Sequence, residues 1–128
     1  MVKELFILDT YAWVEYLIGS EKGKKVKKII DREQCLTVEC SIAELQSWAL
    51  KKEVDFEKLY ETVRKNSRII PIFTEDWIGC AKIRHEIRKK IPDFGLVDSL
   101  IRFKQLKLKA KIVTGDKHFK ELSNALII

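Results

Sequence analysis

The hydrophobic positions along this chain form two kinds of run that alternate from end to end. Short β-prone runs stand at Leu5–Leu8, Cys35–Val38, Ile69–Ile72, Lys111–Thr114 and Ala125–Ile128. Between them the apolar residues recur every three or four positions. An unbroken apolar run suits a strand covered on both faces, whereas the longer spacing marks the buried stripe of an amphipathic helix. The pattern therefore predicts five strands separated by helices. Pro71 has no amide to donate to a ladder, which places the strand at 69–72 at an edge or terminus.

The first helix is expected over Thr10–Leu17, closed by Gly19-Ser20, with Trp13, Tyr16 and Leu17 packed inward rather than stacking on a base. A second runs from Ser20 to Arg32 on a narrow apolar face of Val26, Ile29 and Ile30, with five lysines over the rest. A third is expected from Ser41 through Leu50, where Ser41-Ile42-Ala43-Glu44 fits a capping box. Asp55 to Lys65 forms a fourth. Thr74-Glu75-Asp76 starts a fifth, carrying Trp77, Cys80, Ala81, Ile83, Ile87 and Ile91 toward Pro92. After the loop Pro92–Gly95, Leu96, Leu100 and Phe103 line one side of a sixth helix, beside Val97, Ile101 and Leu108. A short helix at Lys117–Leu122 precedes the last strand. Strand and helix in alternation predict an α/β chain, a single domain over 1–128 with a parallel sheet covered by helices on both faces.

Composition narrows the class. The chain is 46% hydrophobic and 34% charged, and no apolar run approaches the roughly 18 residues that a membrane span needs. The start, Met1–Leu5, carries an acid and only a short apolar run, so it reads as no signal peptide. Cys35, Cys40 and Cys80 cannot all pair and form no Cys-x-x-Cys ligand motif, which predicts reduced thiols in a cytoplasmic protein. The net charge of +6 is compatible with a polyanionic partner and equally with a lysine-rich solvated surface. His85 has only basic residues one helical turn away and reads as a surface residue rather than a metal ligand.

The candidate chemistry lies in four acids. Asp9 and Asp116 end strands, whereas Glu44 and Asp98 are expected in first helical turns, where capping and the helix dipole favour an acid in any case. In right-handed strand-helix-strand units, however, strand carboxyl ends and helix amino ends share one edge of the sheet, so all four face one rim. Clustered carboxylates repel unless a cation joins them, and an oxygen-only set selects Mg²⁺ or Mn²⁺ over zinc. In a basic protein that combination points to phosphodiester hydrolysis.

The order Leu8-Asp9-Thr10-x-x-Trp13, Ala43-Glu44-Leu45, Val97-Asp98-Ser99-Leu100-Ile101 and Val113-Thr114-Gly115-Asp116-x-x-Phe119 resembles the PIN-domain ribonucleases, including the VapC-like toxins of toxin–antitoxin pairs. The resemblance spans essentially the whole chain. It implies a three-layer α/β/α sandwich around a mostly parallel, roughly five-stranded sheet, with one or two Mg²⁺ or Mn²⁺ ions held by Asp9, Glu44, Asp98 and Asp116. Thr10 and Thr114 match positions that support those acids. It further implies endonucleolytic RNA cleavage to a 5′-phosphate and a 3′-hydroxyl, a homodimer, and in toxin members an antitoxin partner. Lys24, Lys25, Lys27, Lys28, Arg84 and Arg88 are candidate RNA contacts, and Asp93 is read as a turn residue rather than a fifth acid.

Competing classes fit less well. A haloacid-dehalogenase-type phosphatase needs a second Asp where Tyr11 stands, and a receiver-like domain needs its acceptor Asp on a central strand and a late Lys. The remaining alternative is a PIN fold without catalysis, serving as an RNA- or protein-binding module in a larger assembly.

Overall fold

A computed structural model describes residues 3–128. The first two residues, part of the stretch read as no signal peptide, lie outside the described residues. At the middle of the sheet is β1 (Leu5–Leu8), whose Phe6, Ile7 and Leu8 are all buried because both of its faces are covered. Beside it lie β2 (Gln34–Val38) and β3 (Arg68–Ile70) on one flank, and β4 (Lys111–Thr114) and β5 (Ala125–Ile127) on the other. The order is β3-β2-β1-β4-β5, and every pairing is parallel. Pro71 follows β3 at the sheet's edge, as its missing amide requires.

Alternate side chains of β1 enter different cores. Phe6 and Leu8 pack with Trp13, Val26, Leu45, Leu59 and Val63 from α1 (Thr10–Ile18), α2 (Glu21–Arg32), α3 (Glu39–Lys52) and α4 (Phe56–Asn66). Ile7 packs with Cys80, Leu100 and Ile101 from α5 (Thr74–Ile87) and α6 (Leu96–Leu108). The result is the expected α/β/α sandwich. Trp13 is 0% exposed and donates its ring N–H to the Thr37 hydroxyl, so it belongs to the core as expected. Gly23 lets α2 cross α1 closely: a Cβ there would stand 2.1 Å from the Glu15 carbonyl oxygen.

Several boundaries differ from the expected ones. Helix α3 begins at Glu39, directly after β2, with Val38 at its cap and no capping side chain. Ser41 is buried inside the helix with an unpartnered hydroxyl, so the capping box does not form and Glu44 lies in the second turn. Helix α5 stops at Ile87, because the residue before Pro92 is disfavoured in helical geometry and the chain tightens there into turns. Trp77, Leu96 and Val97 remain 40%, 44% and 37% exposed, so helical spacing alone overstated their burial.

Cys35 and Cys80 are buried and Cys40 is half-buried, and all three are free. Burial, with a minor contribution from nearby acids, pushes the Cys35 and Cys40 thiols up to about 11. Among the described residues no helix is long and apolar enough to cross a membrane.

Candidate metal centre

The chain builds β1, β2 and β3 outward in one direction, then returns to the far side of β1 to add β4 and β5. The two directions part between β1 and β4, and in open parallel sheets the crevice at that point, beyond the strand carboxyl ends, is where ligands bind. Asp9 and Asp116 emerge there. The Asp9 amide donates to the Val113 carbonyl at 3.3 Å, extending the ladder by one step, and its carboxylate caps α1 by accepting from the Ala12 amide at 2.9 Å. Asp116 caps the 3-10 turn Lys117–Glu121 by accepting from the His118 amide at 2.9 Å. The Asp116 amide donates to the hydroxyl of fully buried Thr114 at 3.0 Å, which fixes the backbone that presents the acid.

Glu44 reaches the rim by another route than capping. The Thr10 hydroxyl, at the start of α1, donates to a Glu44 carboxylate oxygen at 2.7 Å. Thr10 therefore ties α1 to α3 and orients the acid. Asp98 comes from the first turn of α6, a turn fixed by the Ser99 hydroxyl donating to the Gly95 carbonyl at 2.7 Å.

Two of the acids feel the charge of their neighbours. Burial raises Asp9 to about 6, opposed by hydrogen bonds from Thr114 and Ala12 and reinforced by the charges of Asp98 and Glu44. Burial, then the charges of Asp116 and Glu44, raise Asp98 to about 6 as well, with His118 opposing. A cation among these carboxylates would remove that repulsion.

His118 adds a candidate ligand that sequence reasoning missed. Ligand atoms of Asp98, Asp116 and His118 all lie within 4.8 Å of one another. Its Nδ1 is 3.3 Å from Asp116, and its Nε2 is 3.1 Å from the Asp93 carboxylate. Asp93 does occupy a turn, yet its carboxylate also contacts the site's histidine. The spacing Asp116-x-His118 was the available signal, and it reads as surface polarity until the 3-10 turn folds both groups together. His85 is exposed on α5, as expected.

The basic candidates sort by their partners. Lys24, Lys25, Lys27 and Lys28 are exposed on α2, with Lys24 and Lys27 paired to Glu21 and Asp31 at 2.8 Å each. Arg88 donates its Nε to the Phe94 carbonyl at 3.0 Å and so braces the loop before α6, while Arg84 is half-buried. A cavity of about 840 Å³ opens at the amino ends of the strands beside Leu5, Gln34, Arg68, Lys104 and Lys107, and none of the four acids lines it. Near it, buried Asp76 pairs with Lys104 and Lys107. Burial pushes that carboxyl up, but the hydrogen bonds from Lys104, the Phe73 amide and Lys107 outweigh it and hold Asp76 down to about 2.

Comparison with curated proteins finds no match. Among solved structures, VapBC2 from Rickettsia felis bound to a promoter DNA fragment superposes with a TM-score of 0.75 at 19% identity, covering 97% of each chain. DNA-bound VapBC from Salmonella typhimurium gives 0.70 at 20% identity over 100% of this chain and 98% of that one. VapC20 from Mycobacterium tuberculosis, described as a sarcin-ricin loop cleaving toxin, gives 0.71 at 11% identity over 93% and 95%. At these identities the likeness establishes the fold. A family model for the PIN domain matches residues 6–125, nearly the full length, and the chain belongs to the PIN domain family.

Proposed function

We propose that this protein is a divalent-metal-dependent endoribonuclease acting on single-stranded or loop RNA, of the VapC toxin type. The observation that carries the reading is the acidic cluster at this rim: Asp98, Asp116 and His118 bring ligand atoms within 4.8 Å of one another, and burial together with neighbouring acid charges raises Asp9 and Asp98 to about 6. The donor set fits a hard divalent ion: carboxylate oxygens dominate, with one imidazole from His118. Mg²⁺ or Mn²⁺ would be held by the four acids, and when bound supplies Lewis-acid polarisation of the scissile phosphodiester and acidifies water. The chain's own part is to fix geometry. Thr10 orients Glu44, and Thr114 fixes the Asp116 backbone. The open rim, unlike an enclosed cavity, admits a polymer, and the expected products are a 5′-phosphate and a 3′-hydroxyl.

The toxin reading draws on the neighbours, of which one is a toxin–antitoxin complex and another a toxin by description. An antitoxin-type protein partner and a homodimer are part of the same proposal, as is a cytoplasmic location.

Incubation with mixed unstructured RNAs tests the activity: cleavage is expected with Mg²⁺ or Mn²⁺ and none with EDTA. Asp9→Asn, Glu44→Gln, Asp98→Asn and Asp116→Asn should each abolish it, and each should shrink the rise in melting temperature that Mn²⁺ gives the unsubstituted protein. Cleavage that survives EDTA overturns the mechanism. RNA binding without cleavage under any metal supports the non-catalytic module instead.

A further inference from the structure

Tyr11 stands between two of the acid-bearing segments and has no part in the core. It follows Asp9 and Thr10 at the start of α1, and its ring lies against Gly115, the residue before Asp116. The fit is close enough that a Cβ on residue 115 would meet Tyr11 Cε1 at 2.2 Å and Cδ1 at 2.3 Å. Gly115 has no positive φ that would otherwise call for glycine, so the contact with the ring is what excludes a side chain there. From α2, Lys22 donates to the Tyr11 hydroxyl at 2.9 Å, with its Nζ 5.4 Å from the ring centroid. Despite being held at both ends, the residue is 38% exposed.

An aromatic ring that is fixed yet partly open to solvent, beside a site for phosphodiester chemistry, is suited to stack a nucleobase. Stacking tolerates any base because every base has a π-face, and a ring already immobilised loses little conformational freedom when the base arrives. We infer that Tyr11 is an RNA-binding residue, stacking a base of the strand whose phosphate lies at the acidic rim, with Gly115 and Lys22 as the residues that position its ring. The inference rests on the nuclease reading for its substrate class, single-stranded RNA, but it concerns affinity rather than the chemical step.

The test compares Tyr11→Leu with Tyr11→Phe. Loss of one base–aromatic stack corresponds to about a tenfold loss of affinity or more. Tyr11→Leu should raise KM by that amount with kcat nearly unchanged, while Tyr11→Phe, which keeps the ring, should stay close to the unsubstituted protein. Fluorescence anisotropy with a fluorescein-labelled, unstructured 12-nucleotide RNA in EDTA gives the same comparison without cleavage, so it decides the role of Tyr11 even if the protein proves not to be a nuclease. Thermal melts of both variants confirm that the comparison is between folded proteins. Equal affinity of Tyr11→Leu and the unsubstituted protein overturns the inference, as does an equal loss in both variants, which would assign the effect to the hydroxyl and its lysine.

Discussion

At the scale of single residues, the acids carry opposite consequences for stability and for metal binding. Asp9 and Asp98 both have folded-state values of about 6 against an ordinary 3.8. Folding therefore binds extra protons between those values, so the contribution of these two acids to metal-free stability is fully present below about 3.8 and is lost as pH rises through about 6. Asp9→Asn removes one of the charges. In EDTA it should raise stability near pH 7.5 by on the order of 1–2 kcal/mol after allowing for solvent screening, and leave a smaller difference near pH 4.5. Urea unfolding at the two pH values checks this, and a variant less stable than the unsubstituted protein near pH 7.5 would make Asp9 simply a helix cap. The positions of Asp9 and Asp116 at strand ends and of Asp98 in a first helical turn were legible in the sequence, whereas Glu44, expected in a first turn, lies in the second turn of α3. The capping box that offered a purely structural account of Glu44 does not form, and Thr10 holds its carboxylate instead. The placements of His118 and Tyr11 were not found, because they depend on a 3-10 turn and on a contact across more than a hundred positions, neither of which has a periodic signal.

At the scale of elements, the strands were the most legible, because burial on both faces requires an unbroken apolar run. Helix starts were less so. Helix α3 begins where β2 ends, with no capping side chain to announce it, and Ser41 was a decoy. Trp13 and Val26 are buried, while Ile18, Leu50 and Val54 are left open at 58%, 71% and 41% exposure. A groove of about 410 Å³ runs between α1, α3 and α4, lined by Leu17, Ile18, Trp48, Val54 and Leu59. Within the proposed function this largely apolar groove is assigned to a segment of the protein partner, and the homodimer is formed elsewhere. Light scattering at micromolar concentration should therefore give twice the 15.0 kDa chain mass for both the unsubstituted protein and Ile18→Asp. A strict monomer in the unsubstituted protein removes the homodimer, and a monomer only in Ile18→Asp would make the groove its interface.

At the scale of the whole molecule, topology decides which charges can serve the site. The central strand is the first in sequence, so Asp9 meets the central-strand requirement of a receiver-like domain, and the family match is what separates this chain from one. The net charge of +6 is not spread evenly in its availability. Lys22 anchors the start of α2 to the rim through Tyr11, and Lys25 and Lys28 follow at i+3 intervals on successive turns, with no acid in ion-pair reach among the described residues. Lys24 and Lys27 already have surface partners, and Arg88 is engaged by the Phe94 carbonyl. Lys25 and Lys28 are thus the best placed to follow a phosphate backbone leaving the acids. Each phosphate contact on a single strand releases about 0.7 counterion, so removing two contacts should flatten the plot of log K against log salt by about 1.4. The double variant Lys25→Gln/Lys28→Gln, titrated with the labelled RNA in EDTA over a range of salt concentrations, measures that slope directly. A slope equal to that of the unsubstituted protein would make these lysines a solvated face and move the path of the RNA away from α2.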